Sequence, residues 1–179
     1  MATQTLQERT GKLTARGNPL TLVGPELKAG DAAPDVRLSA ADLSVKTLDD
    51  LTDHGKRAAM LIVVPSLDTS VCSVESHTFN TRIGELGKNV QAYVVSMDLP
   101  FAQARWCGAE GDVSLEMLSD YRDHRFGYDY GMRIKETGLL ARAIIIIGGD
   151  KRIKYVQLVP ELTSEPNYDE AIKAAQASA

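Results

Sequence analysis

The chain has 179 residues, enough for one domain with a full hydrophobic core and short for two. Hydrophobic residues make up 44%, charged residues 25%, and the formal net charge is -4, a balance without the positive excess that phosphate backbones attract; nucleic acid is not an expected partner. No apolar run approaches the roughly 20 residues that span a bilayer, and the opening MATQTLQERTGKLTARGNPL lacks the apolar core of a secretory signal, so a cytoplasmic protein that does not cross a membrane is expected.

In chain order, Gly17-Asn18-Pro19 and Val23-Gly24-Pro25 mark turns around a short strand, Leu20 to Val23, and a second strand-like piece follows at Val36 to Leu38. Residues 1–16 are read as an N-terminal tail, and 17–179 as a single domain that opens with an appended β-hairpin. Three apolar segments follow, Ala58 to Val64, Val90 to Ser96 and Ala143 to Ile147. They are rich in β-branched residues and do not alternate, which predicts central strands covered on both faces. Lys154 to Val159 is less apolar and suits an edge strand. Cys72, Ser76, Phe79, Ile83 and Leu86 recur at spacings of three and four, which predicts a helix ended by Gly87. Further helices are predicted from about Ser119 to Tyr130, from Pro100 to Cys107 with Gly108 as its cap, and from Tyr168 to Ala177. The alternation gives an α/β fold of thioredoxin-like type, a central mixed sheet flanked by helices.

The stretch VVPSLDTSVCSVESHTFN, residues 63–80, sets Cys72 in the first turn of a predicted helix. Unpaired N–H groups and the positive end of the helix dipole favour thiolate there. Pro65, which has no N–H to give a ladder, ends the strand before it, so the sulfur lies at a strand's C-terminal edge, where open α/β sheets bind ligands. Helix position alone leaves two readings open, a reactive thiol or a small core hydrophobe sharing a face with Phe79. The Thr69 hydroxyl, three residues earlier, adds a polar group beside the sulfur.

Pro65, Thr69 and Cys72, spaced as P-x-x-x-T-x-x-C, resemble the active-site motif of the peroxiredoxins. SMDLPFAQARWCGAEG (96–111) and LLARAIIIIG (139–148) are similar to signature segments of bacterial thiol peroxidases, the atypical two-cysteine branch, and the resemblance covers about residues 17–177. It implies that Cys72 attacks a hydroperoxide, becomes a sulfenic acid, and is captured by Cys107 as an intramolecular disulfide. It implies that Arg142 contacts the sulfur and the peroxide. It also implies thioredoxin or a thioredoxin-like protein as reductant, a homodimer, and no cofactor.

The residues assign the two thiols the same way. Cys107 falls at a helix C-terminus, where negative partial charge disfavours thiolate, on a helix of about two turns that depends on packing by Phe101 and Trp106. Without the resemblance, an inert buried Cys107 stays open as an alternative. Arg142 precedes Ile144 and Ile146 by even steps and so shares their face, where a guanidinium needs an anion. Glu75 is a weaker candidate, read as complementing the helix dipole, and His54, His77 and His124 are read as solvated or structural. Two separated cysteines with no CxxC or HxxxH spacing give no metal site and do not suit a dithiol oxidoreductase. A peroxide-sensing switch protein is the rival reading to an enzyme.

Overall fold

The computed structural model describes residues 6–111 and 113–178. Its first two strands, β1 (Glu8–Ala15) and β2 (Asn18–Val23), form a hairpin in which Ala15 faces Asn18 across a two-residue turn. Arg16 and Gly17 have φ of 50° and 78°, the mirror-image turn whose twist matches the strands it joins. The sequence boundary at residue 17 therefore falls on the turn itself. Residues 8–15, expected in the tail, are the first strand of the hairpin, because Leu13 is buried and anchors them to the core. Residues 1–5 of that expected tail lie outside the described residues.

Two short strands, β3 (Leu38–Ser39) and β4 (Val45–Lys46), lead to α1 (Leu48–Leu51), which Thr47 and Asp50 close with a capping box. The rest alternates: β5 (Ala58–Val63), α2 (Ser70–Arg82), β6 (Val90–Ser96), α3 (Pro100–Glu110), β7 (Glu116–Ser119) and α4 (Arg125–Asp129). Then come β8 (Arg133–Ile134), β9 (Ala143–Ile147), β10 (Ile153–Leu158) and α5 (Tyr168–Ala177). The main sheet runs β10-β9-β5-β6-β7-β3-β4, with β5, β6 and β7 parallel and the other pairings antiparallel; β1, β2 and β8 form a separate small sheet. This is the thioredoxin-like layering expected, with β10 at an edge.

The lack of alternation in β5 and β9 has the predicted cause. Ala59, Leu61 and Val63 enter a core shared with the hairpin, α1 and α4, whereas Ala58, Met60 and Ile62 enter a second core with α2, α3 and α5. Ile145 and Ile147 likewise face the first core, and Ile144 and Ile146 the second. Burying both faces removes the polar half of the strand pattern.

Three further sequence expectations change. The helix expected from Ser119 to Tyr130 is a strand end, a turn and the short α4, because Ser119 pairs in the sheet and the Asp120 carboxylate accepts from the Phe126 and Gly127 N–H groups at 3.0 and 2.8 Å. Helix α3 runs past Gly108 to Glu110. Its cap is Gly111, with φ 86° and an N–H donating to the Cys107 carbonyl at 3.1 Å. Trp106 is buried as expected, whereas Phe101 is 66% exposed and packs nothing down.

Candidate active site

Strand β5 delivers the site. The Val64 N–H still donates to the Val95 carbonyl at 2.9 Å; Pro65 cannot continue the ladder, and the chain turns away over the sheet's edge. The turn is held from β6. Asp98 accepts from the Ser66 hydroxyl and the Leu67 N–H, both at 2.7 Å, and from the Ser96 hydroxyl at 2.8 Å. Thr69 then stands as the N-cap of α2, so that Cys72 is the third residue of a 13-residue helix.

Cys72 is fully buried and shares the second core with Phe79, Trp106, Ile144 and Ile146. Thr69 Oγ1 lies 2.8 Å from its Sγ and 3.0 Å from the Ser66 carbonyl. Arg142, brought in from just before β9, donates from Nη2 to the same sulfur at 3.3 Å. Thr69, Cys72 and Arg142 are thus one cluster, assembled from the start of α2 and the residue that leads into β9. The Arg142 guanidinium also donates from Nε and Nη2 to the Leu162 carbonyl, at 3.2 and 3.1 Å, and from Nη1 to Glu75.

Glu75 is the residue that sequence reasoning undervalued. Its side chain is 0% exposed and ion-paired with Arg142, itself 1% exposed, so it does more than complement a helix dipole. Burial pushes its carboxyl up to about 7, against the pull of Arg142. Burial also works against charge on Arg142, yet Glu75 and Cys72 together hold the guanidinium above its ordinary value. Glu75 Oε1 has no partner among the described residues. A signal for this was present. Cys72, Glu75, Ser76 and Phe79 form the buried stripe of α2, and a carboxylate inside a core-facing stripe needs a cation.

Cys107 is half-buried one turn from the end of α3 and packs against the second core. Both cysteines are free thiols, and burial pushes the Cys107 thiol up. Among the described residues, helix α3 meets α2 and its loop through Trp106, which is buried in the second core and donates from Nε1 to the Ser73 hydroxyl at 3.3 Å, and through the ion pairs Arg105–Asp68 at 3.3 Å and His77–Glu110 at 3.5 Å. His54 pairs loosely with Asp49, and His124 stands beside Arg133. Among the described residues, no group of three or more His, Cys, Asp and Glu side chains could hold a metal ion, and no helix is long and apolar enough to cross a membrane.

Comparison with known proteins places the chain. Residues 28–172 match the Redoxin family model. The chain is 48% identical over 165 residues to a thiol peroxidase of Streptococcus pneumoniae R6, covering 92% of this chain and 99% of that one. It is 45% identical over 166 residues to the thiol peroxidase of Bacillus subtilis 168, covering 93% and 97%. Among solved structures, a peroxiredoxin-like protein from Aquifex aeolicus superposes with a TM-score of 0.86 at 40% identity, over 96% of this chain and 99% of that one. Matched nearly end to end by these proteins, the chain belongs to the Redoxin family and, within it, to the thiol peroxidases.

Proposed function

We propose that the chain reduces hydrogen peroxide and organic hydroperoxides with Cys72 as the attacking sulfur and Cys107 as the resolving one. Pro65, Thr69 and Arg142 shape and activate the site, and thioredoxin restores it. The observation that carries the reading is the pair of donors converging on one buried sulfur, Thr69 at 2.8 Å and Arg142 at 3.3 Å. Donors aimed where negative charge sits favour thiolate and then the charge that builds on the peroxide as its O–O bond breaks.

The thiolate attacks the distal peroxide oxygen. An S–O bond forms, the O–O bond breaks, and the leaving alkoxide or hydroxide takes a proton to depart as alcohol or water. The Cys107 sulfur then attacks the sulfenic sulfur, the S–O bond breaks, water leaves, and the disulfide closes. A dithiol reductant reverses that bond by exchange and is itself oxidised to a disulfide. No metal or organic cofactor takes part in these steps. The protein works as a homodimer in the cytoplasm.

A coupled assay tests this: peroxide consumption with thioredoxin, thioredoxin reductase and NADPH, run against hydrogen peroxide and several organic hydroperoxides. Many turnovers per chain are expected, and none from Cys72→Ser, whose hydroxyl cannot supply the nucleophile. One equivalent of peroxide consumed per chain, with excess reductant present, would favour the sensor reading; full turnover by the Cys72→Ser variant would sink the assignment.

A further inference from the structure

The guanidinium of Arg142 rests on one backbone oxygen, the Leu162 carbonyl, which takes two of its N–H groups. That carbonyl is held from the far face of the sheet. The Leu162 N–H donates to the Thr14 carbonyl at 2.8 Å, and the Thr14 N–H donates to the Pro160 carbonyl at 2.8 Å, so β1 pairs with the segment that leaves β10. Between them, Glu161 accepts from the Thr14 hydroxyl at 2.8 Å, the Arg16 N–H at 2.9 Å and the Gly17 N–H at 3.2 Å. It also accepts from the Thr163 N–H at 3.1 Å and hydroxyl at 2.7 Å. Those donors, Thr163 foremost, hold the carboxyl well below the usual carboxylate range, so it stays ionised and gripped.

The contacts form a line. The hairpin turn holds Glu161, Glu161 and Thr14 hold the 160–162 segment, Leu162 holds Arg142, and Arg142 reaches Cys72. Leu162 packs against the hairpin's core, whereas Cys72 lies in the other, so the segment carries positional information across the end of the sheet. We infer that the N-terminal hairpin is part of the catalytic machinery, with Glu161 and Thr14 as positioning residues that fix the guanidinium at the reacting sulfur. The inference rests on the reading above, in which Arg142 activates Cys72. A guanidinium on a flexible stem without this backbone stop would visit orientations in which Nη2 no longer faces the sulfur, and small misplacements are costly to rate.

The test is single-turnover oxidation of the reduced protein by hydrogen peroxide, together with thiolate ultraviolet absorbance against pH. Four proteins are compared: the parent, Glu161→Ala, Arg142→Met and the double variant. Glu161→Ala should retain the parent circular dichroism and exchange amide hydrogens faster in residues 8–17. It should lose about tenfold in second-order rate, short of the ~10²-fold that a full ångström of misplacement can cost. Its thiolate titration should move to higher pH. In the Arg142→Met background the same substitution should cost nothing further, the non-additivity expected of residues acting through one another. If Glu161→Ala does not fold, Thr14→Val removes a single donor and should act in the same direction. Parent-like rates and titration in the folded hairpin variant would overturn the inference, and so would an undiminished loss in the Arg142→Met background. An Arg142→Met protein as fast as the parent would strike instead at the reading of Arg142 itself.

Discussion

At Cys72 the two donors differ in kind. The Thr69 hydroxyl has one proton and two candidate acceptors, the sulfur and the Ser66 carbonyl. It can accept from a thiol while bonding the carbonyl, then turn to donate to a thiolate. Arg142 is permanently charged and cannot change roles. Arg142→Met should therefore slow peroxide oxidation by about 10²- to 10³-fold, the scale of losing one aimed donor, while leaving the fold intact. Rapid-mixing fluorescence of Trp106 against peroxide concentration reads the rate. Glu75 has a separate signature in stability. Its carboxyl is raised from 4.5 to about 7, so between those values the folded chain binds more protons than the unfolded one. Stability from this group is fully present below 4.5 and is lost as pH rises through about 7. Glu75→Gln should flatten that part of the melting-temperature profile; an unchanged slope would place the titration elsewhere. The contrast between these residues shows what sequence makes legible. Thr69 and Cys72 are three positions apart on one helix start, and strand parity puts Arg142 on the face of Ile144 and Ile146, while its contact with the sulfur is implied by the resemblance. Glu75 acquires its meaning only when a distant guanidinium arrives beside it.

At the scale of the element, α3 has 11 residues, below the roughly 12–15 at which an isolated helix becomes even marginal, and it persists through its contacts. Those contacts are unequal. Its N-terminal approach is tied through Asp98 to the Ser66–Leu67 turn and to β6, and Trp106 is buried in the second core, whereas the last turn beyond Trp106 has a half-buried thiol and the His77–Glu110 ion pair, of a kind worth about 0–1 kcal/mol. Unwinding from the Cys107 end is the cheaper route by which the second sulfur can reach within the 7 Å or so of Cα separation that a disulfide allows. Peroxide-treated protein should yield a Cys72–Cys107 disulfide and faster amide exchange in residues 100–111 than the reduced form. Cys107→Ser should accumulate sulfenic and then sulfinic acid at Cys72. Peptide mapping that returns only intermolecular disulfides would contradict this. The helix itself was legible from Pro100. Its true length was not, because a glycine at 108 with ordinary backbone angles looks in sequence like the cap at 111. The expected helix over 119–130 failed for a tertiary reason: the sheet claims Ser119, and Asp120 nucleates a separate short helix beyond it.

For the molecule as a whole, the central strands were readable because burial on both faces erases alternation, and that is a property of composition. The hairpin's start was not readable, since most of β1 is exposed and only Arg9 and Leu13 are buried. Three large apolar side chains stay in solvent near the cysteine-bearing helices: Val74 at 49%, Leu99 at 50% and Phe101 at 66% exposure. If the homodimer forms through this region, Phe101→Glu should give a monomeric mass by light scattering where the parent gives twice that mass. A monomeric parent would remove the dimer from the proposal. The cradle under Arg142 has a further consequence, for synthesis. Thr14 and Glu161 are 147 positions apart, so the contact that braces the arginine joins two segments distant along the chain. A chain emerging from the ribosome exposes Cys72 long before Leu162 exists to steady its partner. On the proposed reading, the Cys72 thiol meets its full set of donors only after residue 162 has been made and has folded back onto the hairpin.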